Sequence, residues 1–206
     1  MEIERYLESL VPARAAELAA MEQRARAVRF PIIGPAAGQL CYLLARAIGA
    51  RRIFEMGSGF GYSTAWFARA VQENGGGIVY HVVWDEALSK EARGHLAALG
   101  VDGVVGYEVG EAVSVLRRTD GPFDIIFNDI DKDGYPASLP VIAEKIRSGG
   151  LLITDNMLWG GRIFDRNDRT ASTEGVRAFT RLVASDERWI SSLVPIRDGL
   201  LLAVRR

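Results

Sequence analysis

Short apolar runs alternate with helical segments from residue 51 onward, and this alternation constrains the fold more than any other feature of the chain. The runs are bounded by polar or glycine-containing stretches, as buried strands usually are. They are RRIFEM (51–56), GIVYHVV (77–83), VVGYEV (104–109), FDIIFND (123–129) and GLLIT (150–154). Helical patterns follow them at 62–72, 86–99, 111–117, 135–146 and 173–185. Parallel strands need crossover connections of this kind, so the pattern predicts an α/β fold, with a mostly parallel sheet and helices on both faces.

The two ends of the chain depart from this alternation. Near the C-terminus, WISSLVPI and LLLAVR flank Arg197-Asp198-Gly199, which predicts an antiparallel hairpin at one edge of the sheet. Residues 2–28 have a helical composition with a break near Val11-Pro12, and a second helix is predicted at 35–48. We find no repeat or linker, and therefore predict a single domain with two parts, a helical cap (1–48) and an α/β core (49–206).

The bulk composition excludes several classes of protein. A formal net charge of −1 argues against a nucleic-acid partner held by a broad basic surface. The single cysteine, Cys41, allows no internal disulfide and favours a reducing, cytoplasmic location. The N-terminus is charged and lacks a signal-peptide core, and no apolar run approaches the roughly 20 residues that span a bilayer. We therefore expect neither a nucleic-acid nor a membrane partner.

A glycine-rich loop, EMGSGFGYS, follows the first predicted strand. Glycines at 57, 59 and 61 allow a tight turn and a close approach to a ligand, and the next helix offers its N-terminal amides. Tyr62 breaks the G-x-G-x-x-G pattern of dinucleotide sites, and Glu55 would repel a pyrophosphate. The loop is either a plain turn or a site for a cationic or hydroxyl-rich cofactor, and its strand–loop–helix context favours the cofactor site.

Within the stretch IIFNDIDKDGY (125–135), Asp129, Asp131, Asp133 and Gly134 match the start of a calcium-binding loop. Such a loop ends in a bidentate glutamate, but Pro140 stands at that position. An apolar strand, rather than a helix, also precedes the acidic residues. The sequence therefore does not support a calcium loop.

Oxygen-bearing side chains instead follow two consecutive predicted strands. Asp129 ends one strand, and Asp155 and Asn156 end the next. If the strands are neighbours, their ends lie about 5 Å apart. Two carboxylates and an amide at that spacing suit a hard divalent cation such as Mg²⁺. The alternative is that each residue simply forms a turn. The two sites together with Lys132 favour a metal site.

In order and spacing, four segments resemble the Mg²⁺- and S-adenosylmethionine-dependent O-methyltransferases, the group that includes catechol and caffeoyl-coenzyme A O-methyltransferases. The segments are EMGSGFGYS, FDIIFNDIDKDGY, GGLLITDNMLWGG and LVPIRDGLLLAV. The resemblance runs from about Phe30 to the end of the chain. It implies a Rossmann-like fold with a seven-stranded sheet and a homodimer.

The resemblance also implies a role for each site residue. Lys132 matches the general base, whereas the alternative for Lys132 is a solvated charge paired with Asp133. The metal ligands would be Asp129, Asp155 and Asn156. The residues implied to contact the cofactor are Glu55, Gly57, Ser58 and Ser63 at its methionine end, Ala112 near its adenine, Asp131 at its amino acid moiety, and Asp129.

The chain departs from the family pattern after the second predicted strand. The family usually has a carboxylate there that binds the ribose hydroxyls of the cofactor, and this chain has Val83. Asp85 is the candidate substitute, and Trp84 is a candidate to pack on the adenine. We therefore expect an O-methyltransferase (class 2.1.1) acting on a small aromatic with vicinal hydroxyls. The alternatives are a catalytically lapsed S-adenosylmethionine-binding protein and, third, a nicotinamide enzyme.

Overall fold

The computed structural model describes residues 2–206 and contains one seven-stranded sheet flanked by helices. The strands are β1 Arg52–Met56, β2 Ile78–Val83, β3 Val105–Val109, β4 Phe123–Asn128, β5 Ile146–Thr154, β6 Trp189–Val194 and β7 Leu200–Arg205. Their order in the sheet is β3-β2-β1-β4-β5-β7-β6. The helices are α1 Glu2–Ser9, α2 Ala16–Val28, α3 Gly34–Ala47, α4 Tyr62–Glu73, α5 Glu86–Ala98, α6 Ala112–Arg118, α7 Tyr135–Lys145 and α8 Ala171–Ser185.

The predicted α/β fold is confirmed. Strands β1 to β5 pair in parallel, and β7 pairs antiparallel with both β5 and β6. The chain runs outward from β1 to β3 and then returns to place β4 on the other side of β1. A crevice forms at such a reversal, beyond the carboxyl ends of the strands, and this is where ligands bind in open α/β sheets.

Alternating side chains of the parallel strands build a core on each face of the sheet. In β1, Ile53 belongs to one apolar cluster and Phe54 to the other. In β4, Ile125 and Phe127 join the first cluster and Ile126 joins the second. The strands are therefore apolar on both faces, as expected of parallel strands covered by helices on each side. This double burial holds the strand ends, and the loops that follow them, in fixed positions.

Two boundaries differ in an informative way from the predicted ones. Strand β5 begins at Ile146 rather than 150, because Ile146 pairs with Phe123 before an irregularity that brings Leu151 opposite Ile125. Gly149, at φ 70°, lies inside that irregularity. The N-terminal break is confirmed between α1 and α2. No helix within residues 2–206 is both long and apolar enough to cross a membrane. The division of the chain at residue 48 stays a prediction.

Helix α8 packs closely on the short 3-10 helix Lys132–Gly134 that follows β4. Gly175 makes this approach possible. A Cβ at that position would lie well inside van der Waals contact with the backbone carbonyl oxygen of Lys132. By contrast, a Cβ at Gly94, in the middle of α5, would meet no atom within 4 Å. The position of Lys132 therefore depends on a glycine 43 residues further along the chain.

We expect Gly175→Ala and Gly94→Ala to change stability in opposite directions. Gly175→Ala forces α8 away from a backbone oxygen and should lower the free energy of unfolding by about 1–3 kcal/mol. Gly94→Ala should raise it by up to about 1 kcal/mol, because alanine is the better helix former. Denaturant unfolding of both variants measures the difference. Equal stability of the two variants would contradict the close packing at Gly175.

Candidate active site

A cavity of about 570 Å³ opens at the carboxyl ends of the parallel strands. Its walls include aromatic side chains from three segments, namely Phe30, Trp84 and Trp159. All but one of the residues predicted to form the site line this cavity. They are Gly57, Ser58, Ser63, Asp85, Ala112, Asp129, Asp131, Lys132, Asp155 and Asn156.

The loop after β1 is held against both neighbouring strands. The backbone N–H groups of Gly57 and Ser58 donate to Val82 O at 3.3 and 2.9 Å, and Val82 N–H donates to Ser58 Oγ at 2.9 Å. On the other side, a Cβ at Gly57 would collide with the carbonyl oxygen of Asp129. Gly57 also has φ 90°, a conformation that other residues rarely adopt. Glycine at 57 is thus required for the loop to pack against the segment after β4, and the loop lines the cavity in that position.

Glu55 is the predicted site residue that does not line the cavity. It lies on β1 beneath the glycine loop and is fully buried, and neither carboxylate oxygen has a hydrogen-bond partner of normal geometry within residues 2–206. Burial raises the pKa of Glu55 to about 7, and the nearby hydroxyls of Ser63 and Thr64 oppose this only in part. A buried, unpartnered carboxylate costs free energy, so a cationic group brought to this end of the cavity would be stabilised.

Asp129 and Lys132 form an ion pair inside the cavity. Lys132 Nζ donates to Asp129 Oδ1 at 2.6 Å and to Ile130 O at 3.1 Å. The partner of Lys132 is therefore Asp129 and not Asp133, which was the alternative considered from the sequence. Burial raises the pKa of the Asp129 carboxyl, and the charge of Lys132 offsets this only in part. The side chain of Lys132 is 11% exposed, so its charge is poorly screened by water.

Asp155 is buried at the end of β5 and faces the same cavity. Its Oδ1 accepts from Asn156 N–H at 2.7 Å, and its Oδ2 accepts from Arg197 Nη1 at 3.0 Å. Burial and the charge of Asp129 raise the pKa of Asp155 to about 6, while Arg197 acts in the opposite direction. The two carboxylates are thus close enough to destabilise each other's charged forms.

The turn between β6 and β7 fixes the third predicted ligand. Asn156 has φ 58°, and its Nδ2 donates to Asp198 Oδ2 at 3.0 Å. Asp198 Oδ1 in turn accepts from Gly160 N–H at 2.6 Å. Sequence reasoning missed both Arg197 and Asp198 as site residues. The sequence signal was the Arg-Asp-Gly stretch itself, which we interpreted as a hairpin turn within a family segment, without giving either residue a role in the site.

These donor atoms suit a hard divalent cation. Two carboxylates that repel each other gain from a cation between them, and the amide of Asn156, whose nitrogen is committed to Asp198, leaves its oxygen as the available donor. Within residues 2–206 no three His, Cys, Asp or Glu side chains group as a metal site. The predicted set differs from such a group because one of its donors is an amide. The residues therefore fit a divalent cation, and metal binding stays a prediction.

The end of the cavity near β2 lacks a carboxylate at the strand terminus. Val83 is there, 7% exposed. Trp84 is 68% exposed and projects at the rim. Asp85 Oδ1 accepts from Ala87 N–H at 2.7 Å and so caps α5. One of the two carboxylate oxygens of Asp85, the candidate substitute for the missing carboxylate, is therefore already committed to capping α5.

Comparison with known proteins assigns the chain to a family. Residues 13–206 match the family model described as O-methyltransferase. A putative O-methyltransferase of Mycolicibacterium smegmatis is 33% identical over 190 residues, covering 91% of this chain and 90% of that protein. The catechol O-methyltransferase of Niastella koreensis is 30% identical over 181 residues, covering 84% of this chain and 81% of that protein.

Solved structures show the same fold. The O-methyltransferase TomG of Streptomyces achromogenes, in complex with SAM, has a TM-score of 0.88 at 29% identity and covers 99% of this chain and 96% of its own. An O-methyltransferase of Bacillus cereus, in complex with SAH, has a TM-score of 0.89 at 27% identity and covers 100% of this chain and 98% of its own. The family match, the curated relatives and the shared fold agree: this chain is an enzyme of the O-methyltransferase family.

Proposed function

We propose that this enzyme transfers the methyl group of S-adenosylmethionine to a hydroxyl of a small, catechol-like aromatic acceptor, assisted by a divalent cation such as Mg²⁺. The observation that carries the proposal is the convergence of Asp129, Asp155, Asn156 and Lys132 in one cavity beside the glycine loop. Support also comes from the catechol O-methyltransferase among its relatives, and from the SAM- and SAH-bound O-methyltransferases that share its fold.

The chain's own residues offer complementary groups to each part of the cofactor. S-adenosylmethionine supplies an activated methyl group on a positively charged sulfur. Gly57, Ser58 and Asp131 line the cavity where the methionine end of the cofactor would lie, and the buried carboxylate of Glu55, behind that lining, would add negative charge near its ammonium group. At the other end, Ala112 leaves space beside the exposed Trp84 for an adenine, and Asp85 is the carboxylate available to a ribose.

The acidic strand ends would act on the acceptor oxygens. A divalent cation held by Asp129, Asp155 and Asn156 would supply Lewis-acid stabilisation of negative charge on those oxygens. Tyr135 helps to hold the end of β5 in place, because its buried hydroxyl donates to Asp155 O at 2.9 Å. Trp159 and Phe30 give the same cavity an apolar lining that suits an aromatic ring.

Lys132 is the residue that we assign to proton removal from the acceptor hydroxyl. A phenol has an unperturbed pKa near 10 and is mostly neutral at cellular pH, so a positioned base accelerates the transfer. Lys132 lines the cavity; Gly175 packs against its backbone, and the ion pair with Asp129 holds its Nζ. Positioning is itself a large part of catalysis, because bound groups react as though highly concentrated.

We further propose that the enzyme is a cytoplasmic homodimer. Helix α1 has no buried residue. Ile3 and Tyr6, one helical turn apart on it, are 76% and 64% exposed, and Leu10, directly after the helix, is 61% exposed. A monomer mass by light scattering would exclude the dimer.

Cys41 is buried and unpaired, which suits a reducing compartment such as the cytoplasm, and cell fractionation would test the location.

Glu55→Gln should stabilise the ligand-free protein while weakening its affinity for S-adenosylmethionine. The pKa of Glu55 is raised in the folded state from 4.5 to about 7, so the folded state holds this proton more tightly and stability falls as pH rises through that window. Glutamine removes this loss, which amounts to about 3 kcal/mol above pH 7. Urea unfolding of both proteins at pH 5 and pH 8 measures it. A stability difference that did not change with pH would contradict the assignment.

Calorimetry on the same variant tests the contact with the cofactor. We expect about tenfold or weaker binding of S-adenosylmethionine, because a hydrogen bond to a charged group is lost. Unchanged affinity would remove Glu55 from the proposed set.

Lys132→Met should abolish most turnover and leave binding of the cofactor nearly intact. Loss of a general base typically lowers kcat by about 10²–10⁴-fold. Transfer of labelled methyl measures kcat, and calorimetry measures the affinity for S-adenosylmethionine. Lys90→Met, at an exposed position on α5, is the matched control and should behave like the wild type. Equal kcat values for the two variants would show that Lys132 is not the base.

A panel of aromatic acceptors tests the proposed reaction itself. We expect labelled methyl transfer to compounds with vicinal hydroxyls, a rate that falls by about tenfold or more on chelation of divalent cations, and a similar loss in Asp155→Ala. Activity unaffected by both chelation and Asp155→Ala would exclude metal assistance. Tight S-adenosylmethionine binding with no turnover on any acceptor would instead favour a lapsed enzyme.

A further inference from the structure

Arg197 places a permanent positive charge on one of the proposed metal ligands. Its Nη1 lies 3.0 Å from Asp155 Oδ2, and Asp155 is 2% exposed. Asp129 likewise forms an ion pair with Lys132. The two carboxylates that would bind a cation are therefore already paired with two side-chain cations. Because a guanidinium does not lose its proton in a protein, the charge at Arg197 is present at every working pH.

The backbone around Arg197 is tied to the segment that carries Asp155. Arg197 itself has φ 51°, a left-handed conformation. The two residues that follow it accept hydrogen bonds from that segment: Leu158 N–H donates to Asp198 O at 2.8 Å, and Met157 N–H donates to Gly199 O at 3.0 Å. These two hydrogen bonds fix the backbone next to Arg197 against the segment that carries Asp155, and this brings the guanidinium within reach of Asp155.

Arg197 also lines a second cavity of about 530 Å³, on the side of α1 and α2. Glu4 and Glu8 are among the residues that line this cavity. The side chain of Arg197 is 25% exposed, so it has room to move away from Asp155 and acidic groups to move toward. A cation that reached Asp155 would compete with the guanidinium for Oδ2, and the guanidinium has an alternative place to go.

We infer that Arg197 is a resident counter-ion of Asp155 that a divalent cation must displace, and that it therefore lowers the affinity of the site for the metal. This inference rests on the proposed function, because it concerns the same cation site. It makes Arg197 a positioning residue for Asp155 when no cation is bound. It also predicts that removing this one positive charge tightens cation binding.

Mn²⁺ binding to the full-length protein, without cofactor or acceptor, tests the inference. Electron paramagnetic resonance reports the free Mn²⁺ directly, so no catalytic readout is needed. We expect Arg197→Gln and Arg197→Asn to bind Mn²⁺ at least about tenfold more tightly than the wild type, because a like charge has been removed next to the ligand. Asparagine is included because it tolerates the left-handed backbone at this position. Arg197→Lys keeps the charge and should stay near the wild-type affinity.

Arg188→Gln is the matched control, since it removes an arginine that is also paired with an aspartate but lies on the surface away from the cavity. It should leave Mn²⁺ affinity unchanged. Adding Asp155→Asn to Arg197→Gln should abolish the gain. If the wild type and both charge-removing variants bind Mn²⁺ equally, and Asp155→Asn weakens all of them, the inference is wrong while the cation site stands. If no variant binds Mn²⁺ and methyl transfer ignores chelation, metal assistance itself fails, and the inference fails with it.

Discussion

The candidate site depends on holding two carboxylates close together, one of which, that of Asp155, is almost fully buried. Asp129 and Asp155 end neighbouring strands, and each raises the cost of the other's charge. An ion pair offsets this repulsion at each carboxylate: Lys132 pairs with Asp129, and Arg197 pairs with Asp155. Lysine and arginine differ in what they can do next, because only the lysine can give up its proton. The same electrostatic requirement therefore places a candidate base and a fixed counter-ion in one cavity.

Close backbone approach is the second condition for this arrangement. Gly57 lets the first loop lie against the carbonyl of Asp129, and Gly175 lets α8 lie against the carbonyl of Lys132. Both contacts fall on the short segment after β4, which is thereby held from two directions. A side chain at either glycine would shift that segment, and with it the carboxylate and the amine. The geometry of the site is thus set by packing at positions that carry no chemical group of their own.

The sequence predicted the parts of the structure that local pattern determines. The strand–helix alternation predicted the order of the elements. The rule that ligands bind beyond strand ends predicted that Asp129 and Asp155 lie close together, and both line one cavity in the structure. Arg197 was missed because its contact spans 42 residues and joins a turn to a strand end, which no local pattern encodes. Gly175 was missed because a glycine within a helix gives no sign of what lies opposite it. Glu55 stands directly before the loop in the sequence, but on β1 it is buried and does not line the cavity, and its contact with the cofactor stays a prediction.

The end of the cavity near β2 shows how binding can be redistributed within one site. Strand β2 ends in Val83 rather than in a carboxylate, and Asp85 already gives one oxygen to the cap of α5. The amide hydrogen bond already holds a capping carboxylate in one orientation. Binding a ligand hydroxyl to its second oxygen therefore costs little further side-chain entropy. Glu55, buried on β1 outside the cavity lining, has an unpartnered carboxylate, and a cation brought near it would relieve an existing penalty. Recognition of the proposed cofactor would therefore rest more on its charged end than on its ribose.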